Sequence, residues 1–339
     1  RRASEHNLNE TELKPYFQLD QMIKASFYCA KKLFNLDFHQ IDAPMYHPDV
    51  RAWEVTRENK HIAIFIGDYF ARPSKRSGAW CSRFRGQSSM DKIQRPITVN
   101  VCNFAKAPKG QKCLLNFDDA RTLFHEFGHG IHHMLSQINA SSVAGINGVP
   151  WDAVELPSQF LENWCWQDEA LAFISGHFET GESLPQELLN KMLAAKNFQS
   201  AMQMLRQLEF SIFDFTMHES FDPKAENTEQ HIQNVLDQVR QQYAVVTAPE
   251  FNRFQHGFSH IFGGGYSAGY YSYKWAEVLS ADAFGLFEEQ GIFDQATGQA
   301  FLTNILEKGG SEEPSELFKK FRGRAPAIEA LLRHSGINH

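Results

Sequence analysis

Hydrophobic positions change their period along the chain, and the change divides it near Asp118. Residues 1–15 are polar and carry no period, which predicts an extended or disordered lead. From Tyr16 to Phe34, Met22, Phe27, Ala30 and Leu33 recur at helical spacing and predict a helix ending near Asn35. Residues 61–70 (His-Ile-Ala-Ile-Phe-Ile-Gly-Asp-Tyr-Phe) and 97–104 read as strands between turn residues, so a small sheet is expected. Beyond Asp118 the period is helical almost throughout, with helices predicted at 119–137, 157–175, 185–196, 198–220, 227–242, 268–289, 295–307 and 314–320. Asp222 with Pro223 and Gly309 with Gly310 mark breaks, and the glycines at 263–265 form a flexible stretch. The expected fold is mainly α with a small sheet: helix and sheet over 16–117, and a helical core over 118–339.

Composition narrows the functional classes. The 339 residues are 42% hydrophobic and 22% charged, enough for a large core in one region or two. A formal charge of −7 provides no basic field, so nucleic acid is not an expected partner, and Lys75 with Arg76 reads as a solvated loop. Cys29, Cys81, Cys102, Cys113 and Cys165 are dispersed without a CxxC pair, the usage of reduced thiols in a cytoplasmic protein. No apolar run of 18 residues is present, so a membrane is not an expected partner either.

The chemistry concentrates at His125-Glu126-Phe127-Gly128-His129, an HExxH motif. Leu123, Phe124, Phe127, Ile131 and Met134 give its helix an apolar face, unlike a helix that merely carries two surface histidines. Residues four apart share a face, so both imidazoles can reach one Zn²⁺, while Glu126, one position away, stands beside the metal as a general base. Gly128 leaves room for another segment to come close. The longer metzincin pattern requires Gly at 132 and His at 135; His132 and Leu135 exclude it. Three ligands in a row on one helix would surround a metal poorly, so His132 is read as packing or as support to a ligand. A carboxylate from a following helix suits the third position better, and Asp152, Glu155, Glu162 and Asp168 are the candidates. Glu155, two residues before Pro157 at a predicted helix start, can project toward the motif or simply complement a helix dipole. Glu162 can orient a ligand histidine or be a surface charge, and Asp118 and Asp119 are read as helix caps.

A second concentration lies at 260–273, where Tyr266, Tyr270, Tyr271 and Tyr273 crowd behind three glycines. Phenols can stabilise the oxyanion that amide hydrolysis develops, and Tyr266, Tyr270 and Tyr273 fall at helical spacing. Glycines such as Gly264 and Gly265 let backbone approach a substrate or a loop close over it. Ordinary aromatic packing is the alternative reading of this segment.

Together the segments 124–132 (FHEFGHGIH), 154–164 (VELPSQFLENW) and 260–273 (HIFGGGYSAGYYSY), supported by 78–80 (GAW) and 321–324 (FRGR), resemble the thimet oligopeptidase family of zinc metallopeptidases. The resemblance implies a helical zincin-type fold with a small β-sheet beside an active-site channel, and one Zn²⁺ per chain held by His125, His129 and Glu155. It implies Glu126 as catalytic base, Tyr273 and Tyr266 as transition-state partners, and His260 and Tyr270 as substrate-contacting positions. The spacing from HExxH to Glu155 and the extra glycine before Tyr266 look like those of bacterial members. Residues 1–339 would then be one metallopeptidase catalytic region of a monomeric protein, docking with an N-terminal helical half that this chain lacks. The expected activity is endopeptidase cleavage of short unfolded peptides. Release of C-terminal dipeptides is the alternative within the family, and a non-catalytic zinc- or peptide-binding fragment the alternative outside it.

Overall fold

A computed structural model describes residues 2–224 and 226–337. The chain opens with α1 (Arg2–His6) and α2 (Glu10–Leu13), followed by α3 (Leu19–Phe34). The sheet comprises β1 (Leu36–Ile41), β2 (Arg51–Arg57), β3 (Lys60–Phe70), β4 (Trp80–Arg85) and β5 (Ile97–Phe104). The helical part contains α4 (Phe117–Leu135), α5 (Trp151–Val154), α6 (Leu156–Glu162), α7 (Asp168–Ile174), α8 (Gln186–Ala194) and α9 (Ser200–Ser220). It continues through α10 (Thr228–Tyr243), α11 (Phe254–Gly257), α12 (Ser259–Phe262), α13 (Ser272–Gln290), α14 (Gln295–Asn304), α15 (Pro314–Arg322) and α16 (Glu329–His334).

The sheet has the order β1-β2-β3-β5-β4, with β3 and β5 parallel and the other pairs antiparallel. Its inner face is aromatic. Phe27 of α3 stacks on Phe38 at 4.0 Å, and Phe127 of α4 meets Phe65 at 5.5 Å, edge to face. This aromatic contact seats α4 against the sheet through the residue between Glu126 and Gly128. On another side of α4, a Cβ at Gly128 would overlap the Pro157 carbonyl oxygen and stand 2.6 Å from Ser158 Cα. Only glycine permits that approach, which brings the start of α6 onto the motif.

Two cores result. The larger joins α3, α4, α6, α7, α13, α14, α15 and the sheet, with Trp164, Phe160, Phe284 and Phe301 fully buried. The smaller lies between α9, α10, α11 and α12 around Phe213, Leu236, Phe258 and Ile261, and it includes Tyr270.

Several expectations need correction. The lead read as extended or disordered over 1–15 contains two short helices; Asn9 caps the second, and Leu8 and Leu13 are buried, too short a pattern to show a period. The single helix expected at 157–175 is α6, a 3₁₀ turn (Asn163–Trp166) and α7, because Gln167 is extended. Helix 268–289 begins only at Ser272, since Ala268 adopts the left-handed region at φ 54°. Three strands beside the two expected were missed. Of these, the outermost, β4, is mostly exposed and lacks an apolar alternation.

Candidate active site

The motif helix and the following segment bring three ligand atoms together. His125, His129 and Glu155 each offer one such atom, all within 4.8 Å of one another. Glu155 Oε2 lies 3.2 Å from His125 Nε2 and 3.1 Å from His129 Nε2. Ligand atoms about 2.0–2.1 Å from a tetrahedral zinc stand about 3.3 Å apart, so the set fits such an ion with little movement. Among the four carboxylates considered, only Glu155 joins this cluster in the described residues.

The cluster is held by its neighbours. Ser158 Oγ donates to Glu155 Oε2 at 2.8 Å. His125 Nδ1 lies 2.7 Å from Glu162 Oε1, and Arg121 Nη2 donates to Glu162 Oε2 at 2.6 Å. A carboxylate is an acceptor there, so Nδ1 carries a proton, and Nε2, facing Glu155, is the atom whose proton a metal ion would replace. Burial alone would drive His125 toward neutrality, but Glu155 and Glu162 outweigh it and raise its pKa well above the usual value. Burial likewise opposes ionisation of Glu155, yet His129 and His125 hold its carboxyl well below the usual range. Buried Glu155, with the partly buried Glu162 that Arg121 already pairs, thus favours further positive charge at this point, from a proton or from a metal ion.

Glu126 is 5% exposed and its Oε2 has no hydrogen-bond partner among the described residues. Burial raises its pKa, with His125 and His129 opposing. His132 is buried, and burial with His129 pushes its pKa down to about 3, so it is neutral and outside the cluster. Asp118 and Asp119 do not cap α4; Asn116 does, accepting from the Asp119 N–H.

The tyrosine segment forms the facing wall, although Tyr266 lies outside any helix and the expected helical register does not hold. Tyr266 donates to Glu155 Oε1 at 2.8 Å and stacks on Tyr273 at 4.9 Å between ring centres, 20° from parallel. Burial and the nearby Glu155 charge push both phenols far up in pKa, so both remain donors. The exposed His260 ring lies 6.1 Å from the rings of Tyr266 and Tyr273. The Tyr270 ring lies 5.7 Å from His260 and 5.2 Å from Tyr273 and also packs on Phe258, while its hydroxyl donates to Gln207 Oε1 at 3.0 Å. Gly264 approaches His260 so closely that a Cβ would sit 2.9 Å from its backbone, and Gly265 has φ +89° beside Trp151.

Sequence reasoning missed Arg121, Ser158, Gln159 and Trp151. Arg121 precedes His125 by one helical turn, a spacing that could have marked it as sharing Glu162. Gln159 Nε2 donates to the Tyr273 carbonyl at 3.0 Å, and Trp151 packs on Tyr266 at 4.3 Å; neither contact leaves a local signal.

A helix carrying two imidazoles one turn apart, a glutamate between them and a carboxylate from the next helix defines the zincin class of metallopeptidase fold. Within that class, the chain belongs to peptidase family M3, whose model matches residues 1–337. It is 55% identical to oligopeptidase A of Haemophilus influenzae over 335 residues, which are 97% of this chain and 49% of that protein. It is 51% identical to oligopeptidase A of Salmonella typhimurium over 336 residues, 98% of this chain and 49% of that one. Dipeptidyl carboxypeptidase of Escherichia coli is 38% identical, matching 99% of this chain and 49% of its own length. The chain thus spans about half the length of the curated relatives it matches. Among solved structures, PZ peptidase A with an inhibitor has a TM-score of 0.53 at 17% identity, covering 80% of this chain and 42% of that one. The M32 carboxypeptidase of Deinococcus radiodurans has a TM-score of 0.53 at 13% identity, covering 96% and 60%. These two likenesses concern the fold alone.

Proposed function

We propose that the chain carries the catalytic machinery of a zinc endopeptidase acting on short, unfolded peptides. The observation that carries this reading is the convergence of His125, His129 and Glu155 beside a buried, unpartnered Glu126 oxygen. In this reading His125 Nε2, His129 Nε2 and a Glu155 oxygen hold one Zn²⁺, which supplies Lewis acidity for hydrolysis at neutral pH. Glu126 takes a proton from the attacking water and passes it to the leaving amine as the C–N bond breaks. Tyr273 and Tyr266 donate to the oxygen that gains negative charge. Tyr266 first has to exchange its bond to Glu155 for one to substrate. His260 and the backbone at Gly264 and Gly265 line the approach, whereas Tyr270 contributes by holding the loop.

No helix of the described residues is long and apolar enough to cross a membrane, and the five cysteines are free. The dispersed free thiols suit a reducing compartment, and the reading places the activity in the cytoplasm. Docking against a further helical half, as the relatives' greater length suggests, would close the site into a channel and select substrates by size.

A quenched-fluorescent peptide tests the reading. Cleavage by the zinc-loaded chain, lost with chelator and restored by Zn²⁺, is expected; cleavage indifferent to chelator contradicts it. A dipeptidyl carboxypeptidase among the relatives favours a second reading, release of C-terminal dipeptides. Exclusive dipeptide release, abolished by amidating the peptide's C-terminus, would select it.

A further inference from the structure

Aspartate is a poor residue for a helix interior, and an unpaired buried carboxylate is costly. Asp214 nevertheless stands within α9 at 1% exposure. Its carboxylate is turned toward the tyrosine segment: Oδ1 accepts from the Ala268 N–H and Oδ2 from the Tyr270 N–H, each at 2.9 Å. His218, one turn further along α9, places Nδ1 2.9 Å from Oδ1. Two backbone donors separated by one residue and converging on an anion form the concave arrangement by which loops capture negative charge.

The captured backbone is strained. Ala268 has φ 54°, in the left-handed region that costs a residue with a Cβ about 1–2 kcal/mol. Two charge-assisted hydrogen bonds offset such a cost. Two turns before Asp214 on the same helical face, Gln207 accepts from the Tyr270 hydroxyl at 3.0 Å. Tyr266 lies two residues before Ala268, with its hydroxyl 2.8 Å from Glu155 Oε1. Tyr273 lies three residues beyond Tyr270 and stacks on Tyr266 at 4.9 Å. A shift of the backbone at 268–270 therefore moves both phenols together.

We infer that Asp214 is a positioning residue for the proposed reaction, clamping the loop so that Tyr266 and Tyr273 face the His125–His129–Glu155 cluster. The inference rests on the function proposed above, but its geometric part is tested without turnover.

The test uses Asp214→Asn in the full, zinc-loaded chain. Hydrogen exchange followed by mass spectrometry should show the amides of 266–273 exchanging about tenfold faster or more, with 125–135 and 155–162 still protected and zinc affinity within about threefold. Turnover of the fluorogenic peptide should fall on the order of 10²-fold in kcat with little change in KM. In a Tyr266→Phe/Tyr273→Phe background the same substitution should lower kcat by less than about threefold, because both phenols it positions are already gone. Unchanged exchange at 266–273, or an equal kcat loss in both backgrounds, overturns the inference. If Asp214→Asn does not fold, lactic acid in place of Ala268 deletes the donor to Oδ1 alone and should also speed exchange at 266–273; native exchange there overturns the clamp. An inactive wild-type chain would count against the proposed reaction, and exchange alone would then decide the clamp.

Discussion

The two walls of the candidate site are built by opposite means. On one side His125, His129 and Glu126 stand on α4, whose position is fixed by Phe127 in the aromatic cluster and by Gly128 against α6. The helix that carries these groups is placed by close packing within the larger core. On the other side Tyr266 and the glycines of 263–265 lie in an irregular loop above the smaller core, held by hydrogen bonds to its backbone. The difference teaches a division of labour. The two histidines proposed as ligands sit on a regular helix and Glu155 in the turn that Gly128 packing holds against it, whereas Tyr266 sits where a few bonds set its position and can be exchanged.

Substitutions test this division, starting with the largest expected effect. Glu126→Gln should reduce kcat by on the order of 10²–10⁴-fold while zinc content stays at that of the native chain, measured by metal analysis beside turnover. Retained turnover would remove Glu126 as the base. Tyr273→Phe should cost about 2.7–4 kcal/mol in transition-state stabilisation, again with zinc retained; an unchanged kcat would strip that phenol of its chemical role. Glu162→Gln acts on the helical wall and should weaken zinc binding about 10–100-fold in a chelator competition, since it loosens the His125 ring. Unaltered affinity would mean that packing alone orients that ligand.

The smallest effects come from a paired comparison of glycines. Gly128→Ala forces a methyl against the Pro157 and Ser158 backbone and should destabilise the whole fold by about 1–3 kcal/mol in denaturant unfolding. Gly265→Ala, in an exposed loop at φ +89°, should cost about 1 kcal/mol or less globally and act mainly on KM. Equal global losses would erase the contrast between the walls.

What could be read in advance follows the same line. HExxH was legible because both histidines and the glutamate share one helix, so spacing alone fixes their geometry. Residue pattern marks Glu155 as a candidate but does not separate it from Glu162, since the choice depends on how α6 meets α4 at Gly128. The resemblance, not the spacing, singled it out. The tyrosines were visible as a cluster, yet their helical register was not real, because Ala268 breaks it and Asp214, more than fifty residues away, holds the break. The bond from the Tyr270 hydroxyl to Gln207, more than sixty residues away, likewise left no local signal. The short helices before Phe17 and the exposed strand β4 left no period long enough to detect.

In the proposed site His125, His129 and Glu155 would hold a catalytic zinc with one position open beside Glu126. Anomalous diffraction at the zinc edge from crystals of the zinc-loaded chain tests it directly. The account predicts one peak about 2.0–2.1 Å from His125 Nε2, His129 Nε2 and a Glu155 oxygen, with solvent as the remaining ligand. A shell closed by a fourth protein residue, or zinc bound elsewhere with this cluster bare, would contradict it.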